Sequence, residues 1–400
     1  MGKSRKTPVI LLSLSLFLLL SLAGCSSSSR EIEKRSLVIG LALDKGKESK
    51  TEKILNEKGV GYSKRNLVTI THQVVITQAT SKGAKEGSTQ PKSYVNVSST
   101  GDSLIQTVQE LSLRTSRPMF VQHMKVVVIG EELLRKMNLQ QVLDLLFRDY
   151  EIRESVLVFA SKGRASDTLE LKETSEFPAF LLTGISENQF KSTRILPQVT
   201  LAKLTGKMNS NSSFLLQNVI AGNKEIKFAG VAVINGKTKK LLGYLNEDEV
   251  EGLTWITGKG KGGIVKTFDT KTHQLVTYEV LSIKSHIQPH VKGSNISFDV
   301  KVEAKGRLPE HWVLSDKAFK NEFIKRVETD SEKEVKRLAE HTLRIIQNKY
   351  KTDVAGFGNR LRIKYPKVWE KVKKDWDQTF SKVPITYSVK LKINEYGTSG

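Results

Sequence analysis

Four stretches of this chain carry residue types and spacings able to do chemistry. Gly258-Lys259-Gly260-Lys261-Gly262-Gly263 has the glycine and lysine content of a phosphate cradle. It lacks the Gly-Lys-Ser/Thr ending of a phosphate-binding loop and is not set between a strand and a helix in the required order, so it reads as a basic turn. His286 and His290, four apart, would share one face of a strand. Zinc needs three or four ligands, and the other histidines are scattered, so the pair reads as structural. Asp248 and Glu251 form a carboxylate pair of the sort used in acid-base work, but acidic clusters on helix surfaces are common and nothing marks these two as catalytic. The last stretch is Leu22-Ala23-Gly24-Cys25, which holds the only cysteine. No Gly-x-Ser-x-Gly elbow, His-Glu-x-x-His or dinucleotide fingerprint is present. Trp255, Trp312, Trp369 and Trp376 are spread out and suit cores better than a base-stacking platform. The residues therefore point to no catalytic site, no cofactor and no metal.

A lone cysteine is usually a small core hydrophobe. Cys25 stands instead between an apolar run and Ser26-Ser27-Ser28-Ser29. Lys3, Arg5 and Lys6 precede Val9 to Leu20, and small residues lead into the cysteine: a basic region, an apolar region and a cleavage site in the order of a secretory signal. The apolar run is about a dozen residues, short of the roughly 20 that a spanning helix needs. Leu-Ala-Gly-Cys resembles the lipobox of bacterial lipoproteins. The resemblance implies a signal peptide over residues 1–24, cleavage before Cys25, and S-diacylglycerol and N-acyl groups on Cys25. Residues 25–29 then serve as a lipidated tether, flexible because it is serine. A multi-chain acyl anchor, at about 0.8 kcal/mol per buried methylene, holds a domain at a bilayer far better than one chain does.

Composition limits the kind of protein such an anchor can carry. The 400 residues are 38% hydrophobic and 26% charged, which is ordinary globular protein and enough for more than one core. With Cys25 taken by lipid, neither disulfides nor thiolate metal sites are expected, so packing alone must hold the exported chain. Lys and Arg number 64 against 42 Asp and Glu, a net charge of +22. An exported lipoprotein meets anionic membrane and acidic envelope polymer first, so the charge suits those surfaces rather than nucleic acid.

The elements expected from the pattern are those of a mixed α/β chain, in the α+β sense, with three domains that are each a sheet with flanking helices. Leu37 to Asp44 is a near-continuous apolar run and predicts a buried strand. Leu67 to Thr77 and Tyr94 to Val97 predict two more, separated by polar loops over Lys45 to Arg65 and Ala79 to Gln90. Ser103, three residues before Gln106, predicts a helix start, with Leu104, Ile105, Val108 and Leu111 on one face. Met124 to Gly130 is a strand, Leu133 to Phe147 a helix, and Ser155 to Ala160 a strand, which implies a crossover and parallel pairing. Ala165 to Glu173 is amphipathic and predicts a further helix.

Ile226 to Asn235 and Leu241 to Leu245 predict a hairpin turned by Asn235-Gly236. Asn246 to Trp255 predicts a helix, and Val276 to Ile287 and Ile296 to Val302 predict strands. Thr329 and Glu332 predict the start of a long helix through Lys349, with Val335, Leu338, Ala339, Thr342 and Ile346 buried. A helix bearing Val372 and Trp376 and a strand over Val383 to Ile393 complete the chain. The expected domains are an N-terminal α/β unit over 30–200, a middle unit with the hairpin over 201–295, and a C-terminal unit with the long helix over 296–400.

Several stretches together resemble one family, the Ger(x)C spore germination lipoproteins. They are Arg30-Glu31-Ile32 and the strand ending Leu43-Asp44-Lys45-Gly46, then His123 to Glu132, then Arg148-Asp149-Tyr150-Glu151-Ile152-Arg153. Gly230-Val231-Ala232-Val233, Glu251-Gly252-Leu253-Thr254-Trp255, Asp353 to Gly358 and Pro366-Lys367-Val368-Trp369 come next, in the family's order. Two departures are the serine tether, where many relatives place Trp and Asp, and a long insertion around Lys45 to Arg65. The resemblance implies the C subunit of a nutrient germinant receptor, needed for nutrient-triggered spore germination. It implies an anchor on the outer face of the spore's inner membrane, beside integral-membrane A and B subunits, and docking rather than catalysis. The competing expectation is a solute-binding lipoprotein of an envelope transporter, which requires a cleft with convergent polar groups.

Overall fold

A computed structural model describes residues 35–47, 65–76, 92–171, 176–222, 225–314 and 320–395. The leader, Cys25, the serine tether, the Ala79 to Gln90 loop and most of the Lys45 to Arg65 insertion lie outside the described residues. The fold is mixed α/β, as the pattern predicts, with its strands gathered into two sheets.

The first sheet runs β3-β2-β1-β5-β6-β7-β8-β9, with the two-residue β4 beside β1. Its strands are β1 (Ser36–Lys45), β2 (Val68–Val75), β3 (Tyr94–Gly101), β4 (Met119–Phe120), β5 (Val126–Gly130), β6 (Leu157–Ser161), β7 (Phe214–Gly222), β8 (Glu225–Ile234) and β9 (Leu241–Leu245). The pairs β1/β5, β5/β6 and β6/β7 are parallel, and the outer pairs are antiparallel. Central strands with both faces covered need apolar residues throughout, which is why β5 reads Val126-Val127-Val128-Ile129-Gly130 and is buried at every position. One face packs on Leu133, Leu139, Leu143, Leu146 and Leu204. The other packs on Ala165, Leu169 and Leu182, contributed by a short 3-10 turn at Ser166–Leu169 and a helix at Pro178–Glu187. That turn is all the described structure of the helix expected over Ala165 to Glu173.

The single helix expected over Leu133 to Phe147 is three short ones: Glu131–Lys136, Leu139–Val142 and Asp144–Arg148. The break has a tertiary cause. Met137 is extended, Asn138 caps the next turn by accepting from Gln140 N, and Leu139 N donates to the Lys239 carbonyl in the β8/β9 connection. That connection is also wider than Asn235-Gly236 alone. Asn235 N donates to Lys240 O, Asn235 Oδ1 accepts from the amides of Lys237 and Thr238, and Lys239 takes a positive φ.

The second sheet runs β10 (Gly263–Phe268), β11 (Leu275–Lys292), β12 (Asn295–Arg307), β13 (Ile385–Glu395), with β12/β13 parallel and the others antiparallel. β12 alternates buried and exposed almost throughout, the pattern of a sheet with one solvated face. Its inner face carries Phe298, Val300 and Val302. Those residues share a core with a long helix, Asn321–Arg344, whose last turn winds into a π-helix over Ile345–Lys349. The stripe Val335, Leu338, Ala339, Thr342 and Ile346 is buried as expected. The helix starts earlier than expected, however. Thr329 lies inside it and its hydroxyl donates to Lys325 O, while Glu332 Oε1 accepts from Leu391 N on β13.

The change of sheet comes between Leu245 and Gly263, so strands of the expected middle unit enter both sheets. The expected boundary at 295/296 falls at the turn of the β11/β12 hairpin. One helix, Glu247–Thr257, joins the two halves and is buried from Glu249 to Ile256. Asn246 caps it reciprocally with Glu249, and Gly258 ends it at φ 68°. A Cβ on Gly252 would stand 2.3 Å from Thr342 Oγ1 and 2.4 Å from Leu338 O, so this glycine sets how closely the connecting helix crosses the long one.

Candidate functional site

The residues that looked able to do chemistry are dispersed. Gly258 to Gly263 caps the connecting helix and leads into β10; a Cβ on Gly262 would sit 1.9 Å from Phe190 O, so the glycines permit close packing here. His286 Nε2 faces Gln288 Oε1 at 2.8 Å, and His290 Nε2 faces Asp299 Oδ2 at 2.9 Å. Among the described residues no three His, Cys, Asp or Glu side chains are grouped to hold a metal. Trp255 is buried in the shared core. Trp369 and Trp376 stack edge to face at 5.5 Å beside Gly358, and Trp312 is exposed.

The Asp248 and Glu251 pair has a partner that the sequence reading missed. Arg194 Nε reaches Glu251 Oε2 at 3.0 Å, Arg194 Nη2 reaches Asp248 Oδ1 at 3.1 Å, and Arg194 Nη1 approaches Glu247 at 3.5 Å. Burial pushes the Glu251 carboxyl up, and the guanidinium opposes that. Arg194 thus bridges three carboxylates of the helix's first turns, with Lys227 also on Glu247, and those carboxylates already suit the positive end of the helix dipole. The arrangement fastens the 191–197 segment to the helix.

Three of the motifs that carry the resemblance are also closures of the chain on itself. Asp44 accepts from Ala165 N at 2.7 Å and Ser166 N at 2.9 Å, and a Cβ on Gly130 would stand 2.3 Å from Asp44 Oδ1. Asp353 accepts from the amides of Gly356, Phe357 and Gly358 at 2.7, 3.1 and 2.6 Å, and from Trp376 Nε1 at 2.9 Å. Burial raises the Asp353 pKa and these four donors act against that. Gly356, at φ 89°, lets the loop turn back onto the carboxylate before the helix Phe357–Lys364.

The N-terminal motifs meet elsewhere, around an enclosed cavity of about 50 Å³ on one face of the first sheet. β1 contributes Leu41 and Leu43, β2 contributes Ile70 and His72, and the helix Leu104–Glu110 contributes Leu104, Ile105 and Val108. Val121 and Met124 close one side, and Leu145, Leu146, Asp149 and Ile152 another. The motif strand ending at Asp44, the His123 to Glu132 stretch and the Arg148 to Arg153 stretch therefore share one wall. The last of these turns outward between its two lining residues. Asp149 Oδ1 accepts from Glu151 N at 2.9 Å, and Tyr150 is 94% exposed. An exposed tyrosine held over a packed base suits contact with another protein, since it offers large apolar area and a hydroxyl at small entropic cost.

His72 is the functional candidate that sequence reading did not single out. It continues the inward stripe Val68, Ile70, His72, Val74 of β2, where alternation calls for an apolar side chain. It is 2% exposed, burial pushes its pKa down to about 4, and Nδ1 has no hydrogen-bond partner among the described residues.

Comparison with known proteins covers both halves. Residues 28–220 match the family described as spore germination protein N-terminal domain, and residues 229–397 match spore germination B3/GerAC like, C-terminal. Spore germination protein YndF of Bacillus subtilis (strain 168) is 50% identical over 385 residues, 95% of each chain. Spore germination protein B3 of the same organism is 29% identical over 391 residues, covering 97% of this chain and 98% of that one. Spore germination protein A3 is 28% identical over 384 residues, 95% and 96% of the two chains. The crystal structure of the GerBC protein superposes with a TM-score of 0.60 at 25% identity, covering 82% of this chain and 94% of that one. The chain thus belongs to the Ger(x)C family of spore germination proteins, matched along both its N-terminal and its GerAC-like C-terminal regions.

Proposed function

We propose that this protein is the lipid-anchored C subunit of a spore nutrient germinant receptor and acts by docking, without a catalytic step. The observation that carries the reading is the family match over both regions of the chain, with relatives named as spore germination proteins across nearly their whole length. In this reading Cys25 bears S-diacylglycerol and an N-acyl chain and holds the protein on the outer face of the spore's inner membrane. No helix among the described residues is long and apolar enough to cross a membrane, and the anchor supplies the attachment. The partners are integral-membrane A and B subunits, and the exposed Tyr150 loop is a contact toward them. Cleavage before Cys25 removes Lys3, Arg5 and Lys6 and lowers the net charge by three, from +22 to +19, which still adds attraction to an anionic surface, about 1 kcal/mol for each Lys or Arg close to it.

The test compares wild type with Cys25→Ala in spores. The expected result is that Cys25→Ala leaves the inner-membrane fraction and that nutrient-triggered germination falls, while germination by a non-nutrient trigger persists. Unchanged membrane attachment together with unchanged nutrient response would refute the reading.

A further inference from the structure

Positive charge is concentrated at one place on this protein. The stretch Phe357 to Asp375 holds seven Lys and Arg against Glu370 and Asp375, a net +5 in nineteen residues, where cleavage before Cys25 leaves +19 for the whole chain. The sequence folds this stretch into an elbow. Pro366 cannot continue the helix Phe357–Lys364 and opens a second one, Pro366–Val372. Phe357, Leu361, Val368, Trp369 and Val372 turn to the core, so all seven cations are exposed, and Ile363 stands among them 64% exposed. Glu370 pairs with Lys373, while Arg360, Lys367, Lys371 and Lys374 have no ion pair among the described residues. Like charges gathered this closely repel one another, and a surface of opposite sign relieves that repulsion.

The elbow sits at the end of the molecule where the chain from Cys25 enters. β1, β5, β6 and β7 are parallel, so Ser36, Val126, Leu157 and Phe214 mark one end of the first sheet. β8 runs back along β7, which brings the β8/β9 connection to the same end. Lys374 O accepts from Lys237 Nζ in that connection at 2.7 Å, and Ser213 Oγ, just before β7, is 2.7 Å from Thr352 Oγ1. β1 lies three strand spacings from β7, about 14 Å. The eleven residue steps from Cys25 to Ser36 reach at most about 36–40 Å, so an anchor at Cys25 and the elbow can meet one plane. The opposite end of the first sheet differs: Glu131, Glu132 and Glu247 there are paired with Arg135, Lys136 and Lys227.

We propose that this end of the protein, with the elbow at its centre, lies against an anionic lipid surface and so sets the orientation of the anchored chain. The cations are distributed along two helices and do not converge, which suits an extended layer of phosphate headgroups better than one bound anion. Ile363 supplies an apolar side chain that can enter the headgroup region while its basic neighbours stay with the phosphates. Each Lys or Arg close to such a surface adds about fivefold in affinity, so three of them account for about a hundredfold.

The orientation rests on the anchor proposed above, but the contact itself is tested without it. Residues 25–400 carrying Cys25→Ala, which cannot be lipidated, are sedimented with vesicles of phosphatidylglycerol or of phosphatidylcholine. Ionic strength is physiological, where the Debye length is about 8 Å and distant charges count for little. Lys367→Glu, Lys371→Glu and Lys374→Glu together reverse the elbow. Lys266→Glu, Lys271→Glu and Lys305→Glu change the net charge equally, toward the end of the second sheet away from the β11/β12 turn. The chain with neither set is expected to prefer phosphatidylglycerol. The first set is expected to weaken that binding by about a hundredfold or more, and the second by less than about threefold. If the first set does not fold, Lys367→Gln, Lys371→Gln and Lys374→Gln replace it and are expected to weaken binding in the same direction. Equal losses from the elbow set and the distant set overturn the proposal, because net charge alone would then explain the binding. It is equally overturned if phosphatidylglycerol is not preferred, which is the outcome expected of a surface built for an acidic protein. Neither result bears on the lipid at Cys25, which the spore experiment tests separately.

Discussion

Asp353→Asn isolates what the buried carboxylate contributes to the C-terminal half. The two oxygens share four donors: Oδ1 takes Gly356 N and Phe357 N, and Oδ2 takes Gly358 N and Trp376 Nε1. An asparagine amide must place its NH2 against one of these pairs. It then faces donors that stood 2.6 and 2.9 Å away, or 2.7 and 3.1 Å away if it flips. Either way two hydrogen bonds are lost and two buried donors are orphaned. Hydrogen bonds to a charged group are worth about 1.5–3 kcal/mol each, so the gross loss is about 3–6 kcal/mol. Burial of the charge, which raises the pKa of Asp353, offsets part of it and puts the expected destabilisation near the lower end, about 3 kcal/mol. The assay is urea unfolding followed by tryptophan fluorescence, because Trp376 is itself one of the donors. A lower midpoint with an unchanged slope assigns the effect to stability. A loss under about 1 kcal/mol would refute the argument, since it would mean the group is a neutral acid that asparagine can replace.

Three further outcomes are expected. Gly252→Ala places a methyl against Thr342 Oγ1 and Leu338 O, and overpacking of this kind costs about 1–3 kcal/mol, read as a lower midpoint in thermal unfolding. Arg194→Met strips the buried Glu251 of its cation, raising the Glu251 pKa further. The folded variant then binds a proton more tightly than the unfolded chain, so its stability deficit is larger at pH 8 than at pH 5 in paired urea titrations. His72 has a folded pKa of about 4 against 6.5. The unfolded chain therefore takes up the proton first, and stability falls as pH drops from 6.5 to 4. At 1.36 kcal/mol per unit this amounts to about 3 kcal/mol, and His72→Phe is expected to remove that slope.

Where an element is decided by its own residues, the sequence carried it. The runs Leu37 to Asp44 and Met124 to Gly130 are strands because both sheet faces are covered, and Asn246 with Glu249 caps the connecting helix with no help from elsewhere. Distant partners account for the errors. The break after Lys136 depends on the Lys239 carbonyl, about a hundred residues away in the sequence. Thr329 and Glu332 have the spacing of a cap, yet Glu332 is used by Leu391 on β13. The same holds at the candidate sites. Asp353 to Gly358 was recognisable as a motif, but its purpose required Trp376 to be in place. Arg194 and His72 bear no motif at all; the only local sign of His72 is a polar residue in an apolar stripe of β2.

The connection between the two matched regions of the chain lies inside one hairpin. The N-terminal region ends at residue 220, on β7, and the C-terminal region begins at 229, on β8, the strand hydrogen-bonded to it. The second region therefore completes the first region's sheet with β8 and β9, passes through the connecting helix, and only then builds its own sheet. Exchange of either region between relatives would transplant half a ladder, and success would hinge on matching the register of β7 against β8. Among the described residues the two regions meet strand to strand, so a force pulling them apart passes through the β7/β8 ladder and the pair behaves as one strut.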